Sequence, residues 1–444
     1  MWLRCSVPRQ DREVQDQARD PPTPVQPAER LEMRARPGDW IAEACGSVLS
    51  MRESVQDPQW PLVATCSRGL EEVLRAELVS LGHPEATCGR GMVSFRGGLE
   101  AVYAANVSLR TAMRVLRQLA EGPASSGEEL YEMASAIPWE EAFTRGRTFA
   151  VESAGRSTGL RSTAYASLVV KDAIADRLRA RWGMRPDVER RNPDLVVHVH
   201  LAADGAGLAL DSTGEPLSHR GYRPMGGPAP LAESLAAGVL LLAGYDGSQP
   251  LLDPMAGTGT IAIEAALIAT RTPPGARRRF ACERWAEHAP TLLRAVREKR
   301  LGARRPAAAP IVAGDRDARA VTAIERNAVA AGIPGLVTVV VKDARELGLP
   351  GPGTLIVSNP PYGERVGDPR ELRAFYREFG DALKRRAAGA TAWLLVGNPD
   401  LVKAVGLRPA RRIVLFNGPI ECRLLRYDLY EGSRSHTFAD ETRW

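Results

Sequence analysis

The chain has 444 residues, of which 44% are apolar and 25% are charged, and its pI is near 9.1. This length predicts two or three domains, and the composition is typical of a soluble globular protein. The longest apolar run, residues 235–244, is about half the length that spans a bilayer. The N-terminus lacks the apolar core of a secretory signal. We therefore expect a cytoplasmic protein with no membrane partner.

The first 58 residues differ from the rest of the chain. They contain seven prolines and carry 8 Arg against 10 Asp and Glu, a net charge of −2. Such a segment buries too little apolar surface to fold, and we expect residues 1–58 to be a disordered extension. Because the whole chain carries +6, the remainder carries +8, which favours a polyanionic partner.

Six scattered cysteines form no C-x-x-C pair and no Cys/His cluster. This spacing argues against a zinc site and against a disulfide framework. We therefore expect reduced cysteines and no metal.

Ordered structure is predicted to begin near residue 60. Residues 61–65 and 91–95 have the composition of strands, and residues 99–106 that of a short helix. Residues 69–78 place Leu70, Val73, Leu74 and Leu78 on one helical face. The sequence predicts a small α+β module over residues 59–125.

A second module is predicted over residues 126–213. It has strands at 147–152 and 195–201 and a helix at 167–182. In this helix we expect Leu168, Ala175 and Leu178 to face inward, and Arg177, Arg179 and Arg181 to face outward. The alternation in the second strand places His198 and His200 on the face opposite Val197 and Val199. Two histidines could bind a metal, but no third ligand is near, so a solvated or RNA-facing surface is favoured.

After a connecting segment, residues 214–248, the pattern changes to alternating strands and helices. Near-continuous apolar strands are predicted at 250–253, 309–313, 337–341, 354–357 and 391–396. This is the pattern of a doubly wound, Rossmann-like α/β sheet buried on both faces. An Asn417-Gly418 turn between two strand-like runs predicts a closing antiparallel hairpin. The α/β domain covers residues 249–434, and residues 435–444 form a tail.

The strongest local motif is Asp253-Pro254-Met255-Ala256-Gly257-Thr258-Gly259-Thr260, between the first of these strands and a helix at 261–269. The two glycines allow a tight turn and close approach of a ligand to backbone amides. Ala262 stands where a dinucleotide site has its third glycine, and the Gly-Lys-Thr of a P-loop is missing. The motif resembles motif I of class I methyltransferases.

Two acidic residues follow the next strands. Asp315 follows the second strand and could accept both ribose hydroxyls of a ligand, and Asp343 follows the third and could accept from an adenine amine. Asp317 competes for the ribose role, and Asp315 is favoured because it is nearer the strand end.

The segment Ser358-Asn359-Pro360-Pro361-Tyr362-Gly363-Glu364-Arg365 follows the fourth strand. Asn-Pro-Pro-Tyr in this place marks methyltransferases that act on planar nitrogen. The prolines fix the loop so that the Asn359 side-chain oxygen and the Pro360 carbonyl could accept both amine hydrogens and stabilise developing charge. Tyr362 could stack on a flipped base. We predict Asn359, Pro360, Pro361 and Tyr362 as the catalytic set.

Residues 60–434 resemble the THUMP-containing guanine-N2 RNA methyltransferases, a class I family, and most of all its bacterial members that act on large-subunit ribosomal RNA. The matching stretches are 65–72, 170–174, 211–223, 229–237, 280–285, 359–365 and 417–419. Ala256 stands where the family often has Cys, and Thr258 where Ser is common. Neither change removes a needed group.

The resemblance implies a ferredoxin-like part at 59–125, a THUMP RNA-binding domain at 126–213 and a methyltransferase domain at 249–434. It implies S-adenosylmethionine as cofactor and N2-methylguanosine in 23S ribosomal RNA as product. It places the cofactor at Asp253, Pro254, Met255, Ala256, Gly257, Gly259, Asp315, Asp343 and Asn359. We expect RNA contacts from Arg156, Arg161, Lys171, Arg220 and Arg223. The second methyltransferase domain fused to some family members is missing, so we expect the guanine-N2 activity alone, in a monomer.

Other interpretations of the function stay open. A guanine-N2 methyltransferase of transfer RNA would carry the same motifs. Adenine-N6 and protein-glutamine methyltransferases also use Asn-Pro-Pro-Tyr, but the THUMP-like module disfavours a protein substrate and the family match disfavours adenine. A non-catalytic RNA-binding assembly factor would be expected to have a broken motif, whereas Gly257, Gly259, Asp315 and Asn359 are intact.

Overall fold

The structure is a computed structural model that describes residues 59–223, 231–346, 348–362 and 369–430. The predicted extension at 1–58, the tail and residues 363–365 of the Asn-Pro-Pro-Tyr segment lie outside the described residues. Among the helices of these ranges, none combines the length and the apolar character needed to cross a membrane.

The N-terminal half is built on one seven-stranded sheet. Its strands are β1 (Trp60–Cys66), β2 (Thr87–Gly89), β3 (Met92–Gly97), β4 (Ala112–Pro123), β5 (Phe149–Gly155), β6 (Leu195–Leu201) and β7 (Gly205–Asp211), in the spatial order β2-β3-β1-β4-β7-β6-β5. The two modules predicted for this half therefore share a sheet, because β4 pairs antiparallel with both β1 and β7.

Five helices accompany this sheet. They are α1 (Glu71–Ser80), α2 (Leu99–Ser108), α3 (Gly127–Ala136), α4 (Trp139–Ala142) and α5 (Thr163–Trp182). Side-chain caps fix where two of them begin, because Ser126 accepts a hydrogen bond from the Glu129 amide and Ser162 accepts one from the Tyr165 amide. Gly183, with a φ of +76°, ends α5 in the left-handed conformation.

One prediction for this half is wrong, and three strands are not predicted by the sequence pattern. These strands are β2, β4 and β7, of which β4 is the longest strand of the sheet. Leu168, which was expected to face inward on α5, is 47% exposed. The buried face of α5 runs through Ala166, Val170 and Ile174, and Leu168 lies two positions from both of the first two, on the other side of the helix. By contrast, His198 and His200 share the face opposite Val197 and Val199, as predicted.

The C-terminal half is a second seven-stranded sheet. Its strands are β8 (Leu251–Asp253), β9 (Ile311–Asp315), β10 (Thr338–Val341), β11 (Leu355–Ser358), β12 (Thr391–Val396), β13 (Arg411–Asn417) and β14 (Ile420–Asp428), in the order β10-β9-β8-β11-β12-β14-β13. The strands β8 to β12 are parallel, and β14 and β13 close the sheet as an antiparallel hairpin. The predicted doubly wound sheet with its closing hairpin is confirmed.

Helices cover both faces of this sheet. They are α6 (Glu233–Leu242), α7 (Thr260–Ala269), α8 (Pro290–Gly302), α9 (Ala318–Ala330), α10 (Pro369–Arg386) and α11 (Pro399–Ala404), with 3₁₀ turns at Ala281–Arg284 and Ala344–Glu346. α7 is buried along its whole length, which explains the run Ile-Ala-Ile-Glu-Ala-Ala-Leu-Ile-Ala that continues from the glycine loop.

A buried polar network joins the two halves. Arg110, which lies between α2 and β4, donates to the carbonyl oxygens of Leu267 and Thr272 at 3.1 and 3.0 Å. Arg220 forms an ion pair with Glu264 of α7 at 3.3 Å, and both side chains are almost fully buried. A buried charge without a partner is strongly destabilising, so this network fixes the N-terminal half against the helix that follows the glycine loop.

Candidate active site

A cavity of about 640 Å³ opens at the carboxyl edge of the second sheet. Open α/β sheets bind ligands outside the carboxyl ends of their strands, and the volume is typical of a small-molecule site. The wall is formed by the segments that end or follow β8, β9, β10 and β11, and by one face of α10. It contains Pro254, Met255, Gly257, Asp315, Arg316, Asp343, Ala344, Arg345, Asn359, Pro361, Glu371, Leu372, Ala374, Phe375 and Glu378.

The structure brings seven of the twelve predicted site residues to this wall. These are Pro254, Met255, Gly257, Asp315, Asp343, Asn359 and Pro361. The other five do not belong to the wall that the described residues form. These are Asp253, Ala256, Gly259, Pro360 and Tyr362.

The glycine loop has the backbone conformation that its sequence predicts. Gly257 and Gly259 have φ angles of +53° and +83°, a region that side chains other than glycine rarely adopt. A Cβ on Gly259 would also lie 2.8 Å from the Ile324 side chain of α9. Gly257 donates its amide hydrogen to Asp315 Oδ2 at 2.9 Å, so the loop is tied to the end of the neighbouring strand.

Asp253 lies behind the loop and is 1% exposed. Its carboxylate accepts hydrogen bonds from the Ser358 hydroxyl at 2.7 Å and from the Met255 amide at 3.3 Å. Burial raises the pKa of Asp253 to about 7, although the hydrogen bond from Ser358 acts in the opposite direction. The side chain therefore connects the ends of β8 and β11 and shapes the loop from behind.

The structure separates the two acids that compete for the ribose role. Asp315 lines the cavity, and its Oδ1 accepts from the Asp317 amide at 3.0 Å. Asp317 caps α9, where it accepts from the Arg319 amide at 2.9 Å and pairs with the Arg319 guanidinium at 3.0 Å. Of the two carboxylates, the described structure brings only Asp315 to the cavity.

Asp343 forms a charged chain with two residues that sequence reasoning missed. Arg345 pairs with Asp343 at 2.7 Å and with Glu378 of α10 at 2.6 Å. Hydrogen bonding from Arg345 holds the pKa of Asp343 below its usual value. Phe375, one turn before Glu378 on α10, adds an aromatic ring to the same wall. The apolar spacing of Leu372, Phe375 and Phe379 just after the Asn-Pro-Pro-Tyr motif could have indicated this helical wall.

The cavity wall has more acidic than basic side chains. It contains the carboxylates of Asp315, Asp343, Glu371 and Glu378 against the guanidiniums of Arg316 and Arg345. An excess of negative charge in a concave site favours a cationic ligand over an anionic one. The wall is therefore poorly suited to the pyrophosphate of a dinucleotide.

Asn359 lines this cavity and carries a buried acceptor atom without a partner in the described structure. Its Oδ1 is buried and has no hydrogen-bond partner among the residues that the structure describes. A buried polar atom normally has a partner, and an exception calls for an explanation. An incoming donor, such as an amine hydrogen of a substrate, would supply the missing bond.

Tyr362 lies beside the cavity with its ring packed against Gly397, where a Cβ would lie 2.5 Å from the ring. Its hydroxyl accepts a hydrogen bond from Asn417 Nδ2 at 3.3 Å and lies 3.7 Å from Cys422 Sγ. The matching stretches around Tyr362 and Asn417 thus meet in space. Stacking of the Tyr362 ring on a substrate base stays a prediction.

The predicted RNA contacts divide into two groups. Arg156 and Arg161 are exposed, and Lys171 is half-buried and pairs with Asp172 at 2.7 Å. For Arg220 the prediction is wrong, because this side chain is buried against Glu264.

Arg223 is likewise not a free surface cation, and its contact with RNA stays a prediction. It pairs with Glu233 at 2.6 Å and donates to the Thr260 hydroxyl at the start of α7. Like Arg220, it is used to hold the connecting segment against the second half of the chain.

The described residues include no group of three or more His, Cys, Asp or Glu that could hold a metal ion. His198 has two acidic neighbours instead, Asp211 at 3.4 Å and Glu152 at 3.7 Å.

Three families match successive parts of the chain. Residues 61–116 match the RlmL ferredoxin-like domain, residues 124–211 match the THUMP domain, and residues 220–426 match the RMKL-like methyltransferase domain. The third match contains every residue of the cavity wall.

Curated relatives and solved structures agree with these matches. A protein of Syntrophotalea carbinolica named ribosomal RNA large subunit methyltransferase K/L is 38% identical over 382 residues, which cover 83% of this chain and 53% of that protein. The chain thus spans about half the length of the curated relatives it matches.

Two solved structures align over nearly their whole length. SMU.472, named a putative methyltransferase and crystallised with SAH, is 28% identical with a TM-score of 0.77, covering 85% of this chain and 100% of that one. A protein of Listeria monocytogenes, named a predicted N6-adenine-specific DNA methylase, is 30% identical with a TM-score of 0.76, covering 84% and 97%.

Proposed function

Since the chain belongs to the methyltransferase family that joins a THUMP domain to an RMKL-like methyltransferase domain, we propose that it methylates RNA, with S-adenosylmethionine as the methyl donor. The product we propose is N2-methylguanosine in large-subunit ribosomal RNA. The observation that carries this proposal is the unpartnered Asn359 oxygen at the cavity between four strand ends.

The residues of the cavity fit S-adenosylmethionine. This compound carries a sulfonium and an ammonium group, which match the acidic excess of the wall. Asp315 offers acceptor oxygens for the ribose, Asp343 for the adenine amine, and Phe375 an apolar ring surface. A relative with 28% identity over its whole length binds SAH, the demethylated product of such a donor.

When bound, S-adenosylmethionine supplies a methyl group activated by positively charged sulfur. This chain has to hold the receiving amine of the guanine base, whose nitrogen lone pair is delocalised into the base ring. Asn359 Oδ1 accepts one amine hydrogen and thereby stabilises the positive charge that develops on nitrogen, an effect that is strong in a water-poor site. Pro360 and Pro361 restrict the loop that carries Asn359.

RNA is the polymer that the N-terminal half supports as substrate. A THUMP domain matches residues 124–211, and the relatives that match most of the chain are named for ribosomal RNA of the large subunit. The exposed Arg156 and Arg161 add positive charge to the first half, which would strengthen binding to phosphate. Guanine and its N2 atom come from the resemblance to guanine-N2 enzymes.

Nucleoside analysis tests the proposal. Purified protein is incubated with labelled S-adenosylmethionine and, in parallel, with unmodified ribosomal RNA and transfer RNA, and the digested RNA is analysed by mass spectrometry. N2-methylguanosine in ribosomal RNA supports the proposal. The same nucleoside in transfer RNA alone would move the substrate to transfer RNA, and N6-methyladenosine would reject guanine as the base.

A further inference from the structure

Two clefts outside the candidate active site join into one surface. One cleft of about 710 Å³ lies between the connecting segment around Glu215 and the loop 272–279 that follows α7. Another, of about 570 Å³, lies between the THUMP-matching strands and residues 279–288. Glu215 and Arg279 line both clefts. We call the combined surface the junction groove.

The junction groove is strongly basic. Ten arginines line it against three glutamates. Two of these glutamates are already paired, Glu215 with His219 and Glu283 with Arg297, and Glu152 lies 3.7 Å from His198. Four of the ten arginines pair with acids outside the lining: Arg114 with Asp211, Arg147 and Arg284 with Asp194, and Arg220 with Glu264. The positive charge of the groove therefore comes from the remaining six.

Five of the arginines are exposed and make no ion pair with any residue that the structure describes. They are Arg190, Arg191, Arg277, Arg279 and Arg304. Arg190 and Arg191 come from the THUMP-matching region, and the other three from the methyltransferase-matching region. Unpaired guanidiniums contributed by both halves to one concave surface are suited to bidentate contacts with phosphate.

Arg278 shows the same shortage of negative charge. It donates to the carbonyl oxygens of Pro216, at 2.8 Å, and Glu215. Burial and the nearby guanidinium of Arg220 lower the pKa of Arg278 to about 10. An anion in the groove would relieve this repulsion.

The groove and the active-site cavity lie at opposite edges of the second sheet. α7 begins at the carboxyl edge with Thr260, and the loop 272–279 follows its other end. Strands of three to six residues separate the two edges, which corresponds to about 10–20 Å. The cavity wall is also acidic where the groove is basic, so one small ligand does not serve both.

We propose that the junction groove binds the phosphate backbone of the RNA substrate at a second point, remote from the base that reacts. This inference rests on the proposed RNA substrate. A structured RNA held between the THUMP-matching region and the rear of the methyltransferase-matching region would contact both edges of the sheet. The groove would thus select long, folded RNA over short oligonucleotides.

The test uses the double charge reversal Arg277→Glu with Arg279→Glu in the full chain. Filter binding to ribosomal RNA fragments of roughly 100 nucleotides is measured against salt concentration. The slope of log affinity against log salt is negative, and each lost phosphate contact reduces its magnitude by about 0.9. Two lost contacts weaken binding roughly tenfold to fiftyfold at 0.1 M salt. The affinity for S-adenosylmethionine and for a short hairpin should change little.

A matched control is Arg385→Glu with Arg386→Glu, which makes the same charge change at exposed positions in the last turn of α10, outside the groove. The control should bind RNA nearly as the wild type does. A second groove variant, Arg190→Glu with Arg191→Glu, should repeat the loss from the THUMP side.

Three results would overturn the proposal. These are wild-type affinity and salt slope in both groove variants, an equal loss in the control, and saturation by inorganic phosphate at constant ionic strength with no effect on RNA affinity. The last result would assign the groove to a small anion. A wild type that binds RNA through the groove but forms no methylated nucleoside would reject the proposed function and leave the groove standing.

Discussion

Truncation of Asn359 separates its catalytic role from its structural role. Asn359 Oδ1 is buried without a partner in the described structure, and such an atom costs the folded state about 1–3 kcal/mol. In Asn359→Ala this cost disappears together with some packing, so we expect the free energy of unfolding to change by less than about 1 kcal/mol. Loss of a polar group that faces developing charge should instead lower the methylation rate about 10²–10³-fold.

The assay is single-turnover methylation of ribosomal RNA at saturating S-adenosylmethionine. Calorimetry should show a cofactor affinity within a few-fold of wild type, because the side chain acts on the incoming amine. The matched control is Asn398→Ala. Asn398 follows the next strand and caps α11 through the Asp400 amide at 2.9 Å, so its loss should cost about 1 kcal/mol of stability and leave the rate unchanged.

Two results would refute this reasoning about Asn359. A rate within about tenfold of wild type would show that its oxygen contributes less than a preorganised acceptor usually does. A cofactor affinity that falls in parallel with the rate would place the side chain on the cofactor rather than on the amine.

Further predictions concern three other positions at the site. Asp315→Ala should weaken S-adenosylmethionine binding by about 1–3 kcal/mol. Asp317→Ala should cost about 1 kcal/mol of stability as a lost helix cap, with little change in affinity for the cofactor. Equal losses of affinity in calorimetry would contradict the assignment of Asp315 to the ribose. Tyr362→Phe keeps the ring against Gly397 and should slow turnover less than Tyr362→Ala, and the reverse order in steady-state rates would make the hydroxyl the essential group. The pKa of Asp253 is raised from 3.8 to about 7, so the folded state binds this proton more tightly, and the free energy of unfolding should fall as pH rises across that window. Denaturant titrations in which Asp253→Asn keeps the full pH dependence would disprove this origin.

Much of the second sheet could be predicted because its strands are buried on both faces. Apolar runs such as β12 stand out against the helices around them. The missed strand β4 lies at the centre of the first sheet, but its pattern Met-Arg-Val-Leu-Arg-Gln-Leu mixes charged and apolar residues and most of its positions are only half-buried. Its pairing with β7 connects residues about 90 positions apart, which no local pattern reveals.

The candidate site divides in the same way. The sequence could predict that three residues belong to the site, because each lies near the end of a predicted strand. These residues are Gly257, Asp315 and Asn359. Arg345 and Glu378 could not, since their ion pair brings a 3₁₀ turn and α10 together only in the folded chain.

The prediction for Arg220 failed for a related reason. Its partner Glu264 lies 44 positions away on α7, and sequence alone shows the charge without showing its burial.

The most direct test of the central claim is the identity of the methylated nucleoside. Ribosomal RNA treated with wild-type protein and with Asn359→Ala should be digested and compared by mass spectrometry. We predict N2-methylguanosine with the wild type and at least about a hundredfold slower accumulation with the variant. A wild type that forms no methylated nucleoside, or one that forms N6-methyladenosine in its place, would contradict the claim.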